Sequence, residues 1–138
     1  MKGLATLIRL HKRNLDELRR DMVRLENEKS QLEQAIINLQ AELDREMELA
    51  ETSLEMASFF GEFAKRIKNR QEILRGEIQQ VDKKIAKLND EIFVEFAEVK
   101  KFEIALEMKK SQKAEAEKRK ETIMLDEIAA QQHRKNRQ

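Results

Sequence analysis

No proline interrupts the 138 residues, and the three glycines, Gly3, Gly61 and Gly76, stand alone. Proline stops a helix and glycine weakens one, so a chain nearly free of both and rich in Ala, Leu, Glu, Lys, Gln and Arg has high helix propensity almost throughout. The fold is therefore decided by how helices find partners. From Leu4 to Glu46, alternating steps of four and three pass through Leu4, Ile8, His11, Leu15, Leu18, Met22, Leu25, Lys29, Leu32, Ile36, Leu39, Leu43 and Glu46. All but His11, Lys29 and Glu46 are apolar, which is the two-per-heptad seam of a coiled coil. A second seam runs through Phe60, Phe63, Ile67, Gln71, Leu74, Ile78, Val81, Ile85, Leu88, Ile92, Phe96, Val99, Phe102 and Leu106. Its step of four from Ile92 to Phe96, where three is due, predicts a stutter with Ile92, Phe93, Phe96 and Phe102 packed around it.

Between the seams, Thr52 followed three residues later by Glu55 matches a capping box and marks a new helix. The expected fold is all-α: two long helices in an antiparallel coiled-coil hairpin, one domain over 1–138, with helix 1 over about 3–50, a turn at 51–53 and helix 2 over about 54–132. Folding at 51 and 52 lays the seams together, Leu15 facing Leu88, Met22 facing Val81 and Leu43 facing Phe60, with the Lys29 stem along Leu74. Arms of this length are roughly 75 Å long at 1.5 Å per residue. The C-terminal helix then overhangs its partner. The segment 107–121 has almost no seam, and Ile123, Met124, Leu125 and Ile128 form an isolated apolar patch ahead of a basic tail. An apolar patch without a partner marks a binding element.

A net charge of +1 calls for no nucleic acid or lipid surface overall, but charge is unevenly placed. Residues 1–24 carry seven basic and three acidic side chains, 107–138 nine and six, and 40–63 one and seven. The hairpin is thus expected to have a positive open end and a negative turn, two chemistries for two partners. The lysines and arginines of 109–120 are interleaved with glutamates and lack stacking aromatics, so they read as a solvated face, not a nucleic-acid site. The tail from His133 to Arg137 is either inert or part of the overhang's contact surface.

With 40% of residues charged and six phenylalanines as the only aromatics, apolar area can be buried only along narrow stripes. No cysteine, two histidines, four serines and no phosphate-binding glycine loop leave no spacing for nucleophile, base and orienting group. The expectation is no enzyme, no catalytic residue, no cofactor and no metal. No run of about 18 apolar residues and no signal-peptide block occur, which points to a soluble cytoplasmic protein. His11 reads as a polar seam residue that helps set register, with ligand binding or pH sensing as the other reading. Phe59, Phe60 and Phe63 after the turn point to more than one face; they either cap the coiled coil or leave an aromatic anchor for another protein.

The aromatic segment SLEMASFFGEFAKRIKNR (53–70) and the terminal LDEIAAQQHRK (125–135), set in an antiparallel hairpin, resemble the FliJ family of flagellar type III export proteins. The resemblance implies a stalk like that of rotary ATPases: the open end enters the pore of a hexameric export ATPase, and the other end reaches the membrane export gate. It also implies handling of export chaperones, and a cytoplasmic place at the inner membrane held only through partners. Exposure and charge pick out Arg9, Lys12, Arg13, Ile123, Leu125, Asp126, Ile128 and Arg134 for the ring, and Phe59, Phe63 and Ile67 for the gate. Three rivals stand beside this reading. One is the related stalk of a virulence secretion system; the second is a plain structural tether or parallel homodimer, in which Lys29 and Glu46 would each meet their own copy; the third is nucleic-acid binding by residues 109–137, which would be strongly salt-dependent.

Overall fold

A computed structural model describes residues 2–137 as two α-helices packed against each other, α1 (Lys2–Thr52) and α2 (Leu54–Arg137), with no strand among them. The expected all-α class is what the chain adopts. Only Ser53 separates the helices. Its Oγ accepts a hydrogen bond from the Met56 N–H at 3.5 Å and its carbonyl accepts one from the Ala57 N–H at 3.0 Å, so Ser53 is the N-cap of α2. Thr52 instead closes α1, donating its hydroxyl to the Leu49 carbonyl at 2.7 Å. The Thr52–Glu55 capping box is thereby overturned: a hydroxyl turned back onto its own helix is no longer free to cap the next one. Glu55 keeps a place in the first turn of α2, where the helix dipole favours a carboxylate.

The chain falls into two compact units, each containing a stretch of both helices: Leu15–Val94, which holds the turn, and the residues up to Asn14 together with those from Glu95 onward. In the Leu15–Val94 unit the core is a single stripe of Leu15, Met22, Leu43, Ile67, Leu74, Val81 and Leu88, interrupted by the buried Gln71. Gln71 donates its Nε2 to the Ile36 carbonyl and to Gln40 Oε1, each at 3.3 Å. Lys29 pairs with Asp82 at 2.7 Å, and that hydrogen bond, reinforced by the carboxylate's charge, holds the ammonium above its ordinary 10.5.

These partners correct the expected register. With a fold at 51 and 52, Lys29 would lie along Leu74 and Gln71 would face Leu32; Lys29 meets Asp82 and Gln71 meets Ile36 and Gln40. Each partner lies later in the sequence than expected. Two physical causes act in the same direction. The chain reverses at Ser53, later than 51 and 52, and helical side chains lean toward their own N-terminus, which displaces contacts further along an antiparallel pair. Heptad arrays match again after such a shift, so apolar spacing alone does not distinguish the registers.

In the other unit Ile8 and Val99 are buried, and His11 stacks on Phe102 with ring centroids 5.3 Å apart. His11 Nδ1 is hydrogen-bonded to Glu95 Oε1. Glu95 thus occupies the seam position expected for Phe96, which is 41% exposed, while Lys100 lies 5.4 Å over its ring. The stutter is overturned. Steps of four and three continue through Leu88, Ile92, Glu95, Val99, Phe102 and Leu106, all buried or half-buried. A helix turns by a constant angle per residue, so phase rather than side-chain hydrophobicity decides which position faces the partner. Of the phenylalanines expected in this core, Phe102 is half-buried and Phe93 is 72% exposed.

Candidate partner-binding surfaces

In the unit that contains both ends of the chain, every described residue of α2 from Glu107 to Arg137 is exposed. High helix propensity supplies the helix without tertiary contacts, and Arg134, Lys135 and Arg137 in the last turn suit the negative end of its dipole. Met124, Leu125 and Ile128 share a face by their three- and four-residue spacing; Ile123 stands on another side of the helix beside Arg119. All four remain open to solvent, as do Asp126 and Arg134. On α1, Arg9, Lys12 and Arg13 are also exposed, and Lys12 reaches Glu103 at 3.5 Å. Lys100 joins the same carboxylate at 3.7 Å. These ion pairs lie on open surface, where each is worth about 1 kcal/mol or less. Of the eight ring-contact residues expected, all are exposed.

The second surface is the turn of the Leu15–Val94 unit. Phe59 is 67% exposed, Phe63 is half-buried and Ile67 is buried in the seam. Ile67 therefore supports the turn from beneath and offers no surface to a partner, a correction that follows from its heptad phase. Phe60 is half-buried, so the aromatic cluster does divide between core and solvent. Sequence reasoning missed Leu54, which is 93% exposed, and also Met47, Leu49 and Met56. The available signal was position: an apolar residue directly after the N-cap has no facing helix to cover it.

Around these side chains the carboxylates stand without cationic partners. Among the described residues no ion pair involves Glu48, Glu51, Glu55 or Glu62. No group of three His, Asp or Glu side chains among the described residues is placed to hold a metal. No described helix is long and apolar enough to cross a membrane. The two surfaces differ in kind: one is a solvated helix with mixed charge and a small apolar face, the other an acidic turn with large apolar side chains standing out from it.

Compared with known proteins, the chain matches over residues 1–138 the sequence model of a family described as flagellar FliJ protein. No match was found among curated proteins or among solved structures.

Proposed function

The chain belongs to the FliJ family of flagellar proteins, and from that membership we propose that it is the central stalk of a flagellar type III export apparatus, coupling a hexameric export ATPase to the membrane export gate. The observation that carries the reading is the exposed run of α2 from Glu107 to Arg137, a helix with an apolar face and no other described residue packed upon it. A single helix inside a ring of six identical subunits contacts them unequally, so sequential ATP hydrolysis biases its orientation or position. The work is mechanical, and no bond is made or broken on this chain.

Ring contact falls to Arg9, Lys12, Arg13, Ile123, Leu125, Asp126, Ile128 and Arg134, exposed residues of one unit. Gate contact falls to Phe59 and Phe63 of the other, with Ile67 holding the helices together beneath them. Handling of export chaperones and a cytoplasmic location at the inner membrane, held through these partners, belong to the same reading.

Truncation after Glu121 tests it. The full chain should stimulate hydrolysis by the hexameric ATPase, and the truncated chain, whose buried seam is intact, should not. Undiminished stimulation by the truncated chain would overturn the assignment of the overhang.

A further inference from the structure

We propose that the turn is a docking site for a cationic amphipathic helix, with Met47, Leu54, Met56 and Phe59 making the apolar contact and the surrounding carboxylates choosing the charge. The inference rests on the reading that a partner meets the turn and adds the chemistry of what that partner presents. Leu54 and Phe59 are among the most exposed large apolar side chains of the chain, and Met47 and Met56 are about half exposed. Met47 and Phe59 are flanked by acid at helical spacing. Phe59 has Glu55 four residues before it and Glu62 three after; Met47 has Asp44 three before and Glu51 four after.

Charge identifies the occupant. From 40 to 63 seven carboxylates stand against Arg45 alone, and Glu48, Glu51, Glu55 and Glu62 have no ion-pair partner among the described residues. Among the described residues Asp44 accepts a neutral donor alone, Gln40 Nε2 at 3.1 Å. A nucleic acid or an anionic lipid surface would be repelled. An uncharged apolar helix would bury carboxylates without compensation, which costs more than the contact returns. A helix with Leu-like residues on one face and lysine or arginine along its margins satisfies both demands, the apolar face meeting Leu54 and Phe59 while the flanks pair with the glutamates. Methionines at such a surface adapt to partner side chains of differing shape. Lys65 and Arg66 mark where the acidic patch ends, and they limit the contact to the first turns of α2.

The probe is a fluorescein-labelled helical peptide of Leu and Lys, roughly 18 residues long and apolar along one face, titrated with the full chain and read by fluorescence anisotropy. Binding is expected, with affinity falling about tenfold or more in the double variant Leu54→Ser/Phe59→Ser, the worth of one large apolar side chain or more. The triple variant Glu48→Gln/Glu51→Gln/Glu55→Gln should weaken binding similarly, and so should raised salt, because exposed charges are screened. A control variant away from both surfaces, Phe93→Ser/Val94→Ser, should bind as the parent does. All the altered side chains are solvent-facing, and unchanged far-ultraviolet circular dichroism checks that each variant folds. Equal binding of a Leu/Glu peptide, or unchanged affinity in the Leu54→Ser/Phe59→Ser variant, would overturn the proposal. Failure here with ATPase stimulation retained leaves the stalk reading standing; peptide binding with no stimulation does the reverse.

Discussion

Replacing Gln71 with leucine should stabilise the chain, although it removes two hydrogen bonds. Gln71 is 4% exposed in a seam flanked by the buried Ile67 and Leu74. Both bonds of its amide, to the Ile36 carbonyl and to Gln40 Oε1, span 3.3 Å, beyond the usual range for N–H···O contacts, so together they contribute about 1 kcal/mol. Neither acceptor is orphaned by their loss. Ile36 lies within α1, where its carbonyl has a helical partner, and Gln40 is exposed and turns to water. A leucine buried to the same depth contributes about 2 kcal/mol. The balance is a gain of about 1 kcal/mol, or roughly 4 °C in melting temperature for a chain of this size. Gln71→Ala loses the bonds and leaves a void, and should cost about 1–2 kcal/mol. Urea unfolding followed by circular dichroism, with the slope m unchanged, measures both. A Leu variant less stable than the parent by about 1 kcal/mol would refute the reasoning and mean that the amide meets a need that apolar packing does not.

Three further outcomes follow from the same geometry. Val81→Ala, in the seam, should cost about 2 kcal/mol by urea unfolding, whereas Phe93→Ala, on the open side of α2, should cost under about 0.5 kcal/mol despite the larger deletion. Ser53→Ala should cost about 1 kcal/mol through loss of the N-cap, and Thr52→Ala distinctly less; the reverse order would restore the capping box to Thr52. Asp82 raises Lys29 above 10.5 in the folded chain, so this pair's stabilisation is complete below that pH and is lost as pH climbs through the folded value. Asp82→Asn should remove that part of the alkaline fall in stability, seen as a smaller drop in urea midpoint between roughly pH 9 and 12.

Most of the architecture was legible because a helix without proline and with heptad spacing has little else to become. Every position of the first seam, His11, Lys29 and Glu46 included, is buried or half-buried. The errors share one origin. Phe96 is more apolar than Glu95, and Thr52 has a glutamate three residues on where Ser53 has none; in both places geometry selects the residue with the weaker sequence signal. The candidate surfaces were legible in charge and less so in exposure. Ile67 lies on the heptad seam and Phe59 lies off it, and so one is buried and the other open.

What the sequence by itself determined is the all-helical fold, the two stripes that hold it together, the bare C-terminal helix and the acidity of the turn, since propensity, period and charge are properties of residues in order. Tertiary structure alone decided the register. Leu15 and Leu88 would pack as well in several alignments, and only the reversal at Ser53, with the lean of the side chains, puts Lys29 on Asp82 and Gln71 on Ile36. That same reversal leaves Leu54 and Phe59 in solvent. Two equivalent arrays of apolar residues carry no information about where the chain between them turns.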